Sequence, residues 1–201
     1  MWPVGCIISE SQLRWEISSQ KNKRLRKITI AIDGHSSTGK STLAKQLAKE
    51  LGYIYVDSGA MYRCDALFAL NQGFYSPELN KELLISKLDD IKISFRKDLE
   101  KNTNRTFLGE KDVEDAIRGM EISNLVSEIA AISEVRRKLV SIQKEMGKDK
   151  GVVMDGRDIG SVVFPDAELK IFMTASAQVR ARRRFEELVA KGAVVTYQEV
   201  L

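Results

Sequence analysis

What the sequence has little of narrows the field first. Its 201 residues include two cysteines, Cys6 and Cys64, which form neither a disulfide framework nor a metal-ligand spacing, so a reducing cytoplasm is the simplest compartment. Three prolines, no low-complexity run and a composition 43% hydrophobic and 30% charged mark it as globular. No apolar run approaches the ~20 residues that span a bilayer, and no membrane partner is expected. A secretory leader is not expected either, because no basic stretch precedes Val4, Gly5, Cys6, Ile7 and Ile8 and that run is too short. The net charge of +4 invites a nucleic-acid reading, but the excess is local. Residues 1–27 hold six basic side chains against two acids, which leaves 26 of each sign in the rest. A neutral body offers no broad basic field, so no nucleic acid is expected as a partner. Residues 1–27 are expected to be a disordered extension.

One stretch organises what remains. The apolar run of residues 28–32 leads through Asp33 into Gly34, His35, Ser36, Ser37, Thr38, Gly39, Lys40 and Ser41, and Thr42 then continues an amphipathic helix to Leu51. Strand, glycine-rich loop and helix in that order form a phosphate-binding loop. The glycines permit positive φ and close backbone approach, successive N–H groups wrap a polyphosphate, and the helix N-terminus adds partial positive charge. In such a loop Lys40 reaches the β and γ phosphates of ATP and the Ser41 hydroxyl faces Mg²⁺. His35 is the only histidine. Phosphoryl transfer runs on positioning and charge neutralisation, which favours a place dictated by the loop backbone over a catalytic role.

Strand and helix signals alternate from Lys27 onward, which predicts an α/β fold with a parallel sheet. Strands are expected at 28–32, 53–56, 152–154 and 169–173, with helices at 40–51, from Asp57 or Ser58 towards Asn71, at 77–88, 120–131, 133–146 and 177–191, and the start of another at the end. Strict alternation in 91–96 and 105–108, followed by a turn at Gly109 and Glu110, predicts a small antiparallel insert. At this length one core with such an insert is the natural organisation.

Ligands in open α/β sheets bind beyond the carboxyl ends of strands, and two polar runs fall there. Asp57, Ser58 and Arg63 follow the second strand, and Asp155, Gly156, Arg157 and Asp158 follow the third. Arg63 and Arg157 suit bidentate capture of a monophosphate, and Asp155 or Asp158 can hold a Mg²⁺ water or an exocyclic amine. Helix capping by Asp57 or Ser58 and a simple polar turn at 155–158 remain as alternatives. Arg180, Arg183 and Arg184 share one helix face, either as a lid over the transferring phosphate or as a solvated face paired with Glu186 and Glu187.

With these residues in place, residues 27–201 resemble bacterial cytidylate kinases. The resemblance rests on Ile32 to Ser41, on Asp57, Ser58, Gly59, Ala60, Met61, Tyr62 and Arg63, and above all on the run from Asp155 to Ala167. It implies a nucleoside-monophosphate-kinase fold of the P-loop class and transfer of the ATP γ-phosphoryl group to CMP or dCMP in pyrimidine metabolism. On this resemblance Ser58, Arg63 and Arg157 hold the acceptor phosphate, and Ser127, Arg136 and Asp158 read the cytosine. Lys40, Arg63 and Arg157 are the expected catalytic residues, Ser41 and Asp155 the expected metal side, and Arg180, Arg183 and Arg184 the expected lid. The acceptor region and insert span about 58–146 and the lid begins at about 177 within a domain of 28–201. Family members commonly have proline at the position of His35, and they continue past the position of Leu201 with an arginine-rich lid segment, a further strand and a helix. The chain is therefore expected to be truncated at its C-terminus, with strand 169–173 left as a bare apolar edge, and to be a monomer when complete. Two rivals stay open: another small-acceptor P-loop kinase, or a nucleotide-binding fragment without turnover.

Overall fold

The computed structural model describes residues 26–98, 103–190 and 192–201. Residues 1–25, 99–102 and 191, which fall in the expected N-terminal extension, the expected insert and the helix expected over 177–191, lie outside them. In chain order, strand β1 (Thr29–Gly34) leads into helix α1 (Lys40–Leu51), then β2 (Ile54–Asp57), α2 (Ser58–Asn71) and the short α3 (Lys81–Ser86). The insert follows as β3 (Ile93–Asp98), β4 (Thr103–Leu108) and β5 (Lys111–Asp112). Helices α4 (Met120–Ala131) and α5 (Ser133–Met146) return the chain to β6 (Val152–Gly156) and β7 (Leu169–Met173), and α6 (Ala177–Ala190) and α7 (Tyr197–Val200) end it.

The core sheet is parallel and ordered β2-β6-β1-β7, so β1 lies in the interior, paired in register with Val152 to Gly156 on one side and Leu169 to Met173 on the other. All six residues of β1 are buried. Its alternation divides the core: Ile30 and Ile32 pack with Ala44 and Ala48 of α1, whereas Ala31 faces the other layer with Met61, Leu125, Leu139 and Met154. Period-two strand geometry makes that division, and each fully buried isoleucine contributes roughly 1.5–3 kcal/mol. The beginning and end of α1 are both fixed by glycine, with Gly39 at φ 96° as its N-cap and Gly52 at φ 65° donating its N–H to the carbonyls of Ala48 and Lys49.

Helix α2 starts where β2 ends because the Asp57 carboxylate accepts the Ala60 N–H at 3.0 Å. Ala60, Met61, Cys64, Ala66 and Ala69 have no exposed surface, which wedges α2 into the interior, and Asp65 is buried with them. The insert is the expected antiparallel sheet, ordered β3-β4-β5. It closes over the β2 edge, where Asn104 Nδ2 donates to the Tyr55 carbonyl at 2.8 Å. At the opposite edge, among the described residues, β7 leaves Phe172 64% and Leu169 39% exposed.

The helix expected over residues 77–88 is corrected. Tyr75 and Leu79 form an antiparallel bridge around Pro77, and helix starts only at Lys81, where the Asn80 side chain accepts the Leu83 N–H at 3.1 Å. Asn80, and not Pro77, sets the helix start, and a three-residue helical turn (Leu88–Asp90) stands beyond the helix end. The second strand runs one residue later than expected and β6 two residues longer, which carries Asp155 into the sheet.

Candidate active site

The carboxyl ends of β1, β2 and β6 open on a cleft of about 870 Å³. One wall is the loop after β1. Gly34, at φ 146°, packs so closely on β7 that a Cβ there would lie 2.2 Å from the Met173 carbonyl oxygen, so no side chain fits. Lys40 Nζ donates to the His35 carbonyl at 2.7 Å, as does the Thr38 hydroxyl at 2.9 Å. Burial, helped by the neighbouring Arg157, pulls the Lys40 ammonium below its ordinary value, against the pull of Asp155, Asp57 and Asp33. A desolvated cation of this kind favours an anionic partner such as a phosphate.

Beside the loop stands Asp155, 4% exposed. Its Oδ2 accepts from the Ser41 hydroxyl and its Oδ1 from the Tyr55 hydroxyl, both at 2.8 Å. Burial and then the nearby Asp57 push the Asp155 carboxyl up to about 6, and the two hydroxyl donors work against that rise. Burial also raises the Tyr55 phenol above its ordinary value, which keeps it a donor. A carboxylate and a hydroxyl of the phosphate loop, close together, form a hard oxygen donor pair suited to Mg²⁺, which binds through one or two protein oxygens together with substrate phosphates. The residues fit that ion.

The facing wall carries side chains from distant parts of the chain. Ser58 donates to the Asp155 carbonyl at 2.7 Å while its neighbour Asp57 caps the helix, so the two residues divide the alternatives left open by the sequence. Arg157 donates to the Ser36 hydroxyl at 2.7 Å and to the Gly34 carbonyl at 3.4 Å, and Arg136 of α5 is paired with Asp158. The turn that presents Arg157 and Asp158 is pinned from β1: the Asp33 carboxylate accepts the N–H groups of Ile159 and Gly160, both at 2.8 Å. Arg63, its guanidinium lowered mainly by burial, shares its field with Asp57, Arg118, Arg184 and Glu187.

The model of the family described as Cytidylate kinase matches residues 30–201. Two curated relatives, each described as Cytidylate kinase, are 58% identical over 178 residues: the one from Phocaeicola vulgatus covers 88% of this chain and 78% of its own length, and that from Flavobacterium johnsoniae 88% and 77%. The relative from Porphyromonas gingivalis is 52% identical over 176 residues, covering 87% of this chain and 76% of its own. The chain belongs to the cytidylate kinase family. Cytidylate kinases are nucleotide kinases of the P-loop class, and their reaction is ATP-dependent transfer of a phosphoryl group to a phosphate acceptor.

Within this cytidylate kinase cleft the structure brings together Ser36, Ser37, Gly39, Lys40, Ser41 and Thr42 with Ser58, Arg63, Ser127, Arg136, Asp155, Arg157, Asp158, Arg180 and Arg184. Four expected residues do not line it. Gly34 is the close-packing point behind the loop, Thr38 is turned onto the His35 carbonyl, and His35 offers its carbonyl to the loop while its ring stands edge-on to Phe172 at 6.4 Å. Arg183 donates to the Ser37 and Thr38 carbonyls at 3.3 and 3.1 Å, bracing the loop from outside. The arginine helix is thus neither wholly lid nor wholly solvated: Arg184 pairs with Glu187 at 3.1 Å, whereas Arg180 faces the cleft with a buried Nε that has no partner.

Sequence reasoning assigned no role to Asp33, Tyr55, Tyr62 or Arg118. Tyr62 and Arg118 line the cleft, and Arg118 bridges Asp57 at 3.0 Å and Glu114 at 2.8 Å. The i, i+4 spacing of Glu114 and Arg118 was visible, but the contact with Asp57 spans 61 residues of chain and has no local signal. Asp33 could have been found as the one acid ending a buried strand against the loop.

Proposed function

We propose that this chain transfers the γ-phosphoryl group of ATP to CMP or dCMP, giving ADP and the nucleoside diphosphate, as a cytoplasmic enzyme of pyrimidine nucleotide metabolism. The observation that carries the proposal is that Lys40 and Ser41 of the phosphate loop and Ser58, Arg63, Arg136, Arg157 and Asp158 line one cleft. Donor and acceptor phosphates held on those two walls meet between them, and proximity is the largest lever a transfer of this kind has.

Backbone N–H groups of the loop hold the ATP phosphates, and Lys40 exchanges the His35 carbonyl for their stronger, anionic oxygens. Ser58, Arg63 and Arg157 fix the acceptor phosphate, with Arg157 trading its neutral partners Ser36 and Gly34 for a bidentate anion. Ser127 with the Arg136–Asp158 pair reads the cytosine edge, where a carboxylate accepts from the exocyclic amine. Ser41 and Asp155 would hold Mg²⁺, which when bound neutralises charge on the β and γ phosphates. No general base is needed, since the attacking phosphate is already an anion. Arg180 and Arg184, the two α6 arginines that line the cleft, close over the phosphates and shut out water, the competing acceptor, while Arg183 braces the loop from outside. In this reading the acceptor region spans about 58–146 and the lid starts at about 177. No helix among the described residues is long and apolar enough to cross a membrane, in keeping with work on small dissolved substrates.

The test is ADP release from Mg·ATP with CMP, dCMP, UMP and AMP as acceptors and Lys40→Ala as control. Turnover with the cytidine nucleotides and a silent control are expected. Equal turnover with UMP or AMP would overturn the acceptor, and an active control would move the chemistry out of this cleft.

A further inference from the structure

Tyr55 takes no part in the mechanism above, yet it sits at a junction. Its ring is 7% exposed and packs in the layer of Ile30, Ile32, Ala44, Ala48 and Val153, with the Lys45 ammonium 5.6 Å from the ring centre. Its carbonyl accepts from Asn104 of the insert, and its hydroxyl, at the end of a ring held on all sides, donates to Asp155 Oδ1 at 2.8 Å. The other carboxylate oxygen meets Ser41.

We infer that Tyr55 is a positioning residue for the metal side of the cleft, locking the rotation of the Asp155 carboxylate so that Oδ2 stays presented beside the Ser41 hydroxyl. The inference rests on the reading that Ser41 and Asp155 hold the divalent cation. Its physical ground is that the terminal torsion of an aspartate is soft and roughly two-fold, so packing alone does not orient it. Two hydroxyls, one on each oxygen and each on a separate rigid element, do orient it. Ser41 is carried by α1 and Tyr55 by β2, so the carboxylate of β6 is held between two elements of the core. Partners of this sort in the outer shell of a metal ligand typically matter 10–100-fold in metal affinity or activity. Asn104 extends the contact: the insert anchors on the backbone of the same residue, so Tyr55 ties the insert to Asp155.

Tyr55→Phe keeps the ring and removes only the donor. Binding of a non-hydrolysable ATP analogue to the full chain is measured by calorimetry with Mg²⁺ and with chelator, alongside kcat and the KM for CMP. Affinity without metal and the KM for CMP are expected to stay within about twofold, whereas the tightening produced by Mg²⁺ and the kcat each fall at least about tenfold. Asp155→Asn separates the two claims. If Mg²⁺ tightens binding equally in Asp155→Asn and in the unsubstituted chain, the metal reading itself fails. If Asp155→Asn loses the tightening while Tyr55→Phe keeps it, the role of Tyr55 alone is overturned, even when thermal stability has dropped. As a second measurement, the Asp155→Asn chain is compared with the Asp155→Asn, Tyr55→Phe double variant. Action through Asp155 requires equal kinetic constants in the two, and a further loss in the double variant refutes it.

Discussion

The two walls of the cleft are built in opposite ways. In the proposed function the donor wall is a single stretch of ten residues, from Asp33 to Thr42, that would work mostly through backbone N–H groups around two glycines at positive φ. The wall proposed for the acceptor is made of side chains, Ser58, Arg63, Arg118, Ser127, Arg136, Arg157 and Asp158, gathered from helices, the turn before α4 and the turn after β6. A backbone cradle tolerates exchange of its side chains, because a carbonyl or an N–H survives substitution. A side-chain wall depends on ion pairs such as Arg136–Asp158 and on a turn pinned by one buried carboxylate, Asp33. The donor wall is therefore expected to be sensitive at few positions, and the acceptor wall at many.

Lys40→Ala tests the strongest exception on the donor wall, since in the proposed function its ammonium is the side chain there that meets transferring charge. A kcat loss of about 10²–10³ is expected in the ADP-release assay, the scale for removing one preorganised electrostatic contact. Next in size is a pH effect in the core behind the cleft, on the helix that carries Ser58 and Arg63. Asp65 of α2 is 2% exposed with an unpartnered Oδ2, and burial, only partly offset by Lys138, pushes its carboxyl up to about 7 from an ordinary 3.8. Between those values the folded chain holds a proton that the unfolded chain has released, so stability falls as pH rises through that window. Thermal melts should show Asp65→Asn gaining on the unsubstituted chain by on the order of 3 kcal/mol between pH 4 and pH 8. A difference that is flat with pH would show that the carboxyl is ionised throughout.

Asp33→Ala strands the N–H groups of Ile159 and Gly160 and should cost about 2 kcal/mol in denaturant unfolding, with a higher KM for CMP than for ATP because the turn it frees carries Arg157 and Asp158. Loss confined to ATP would reverse the assignment of the walls. Arg136→Ala should raise the KM for CMP about tenfold, as removal of one charged contact does, and leave the KM for ATP in place. His35→Ala is expected to change both constants less than about twofold, because the loop uses only its carbonyl and the edge contact with Phe172 is worth about 1 kcal/mol at most. A large loss there would give the lone imidazole a task that the geometry does not show.

The contrast between the walls also explains what could be read in advance. The helix from Lys40 to Leu51 and those from Met120 and Ser133 stood at their expected bounds, because glycine caps and apolar spacing are local. Helix α3 was misplaced because Asn80, three residues past Pro77, caps it through its side chain. Arg183 was grouped with Arg180 and Arg184 on spacing alone. In the fold that face of α6 divides between the outside of the loop and the cleft, which no spacing distinguishes.

The order of residues along the chain by itself determined the phosphate loop, the parallel core around β1 and the antiparallel insert, since each follows from glycine freedom, apolar periodicity or turn chemistry within a few residues. Tertiary structure alone decided that Asp33 would hold the turn bearing Arg157, that Arg118 would reach Asp57, and that Tyr55 would meet Asp155 across 100 residues of chain. Those contacts join β1, β2, β6 and the turn before α4 across the mouth of the sheet. Their distances are set by strand order and register, and two residues become neighbours there because the core packs, whatever their separation in sequence.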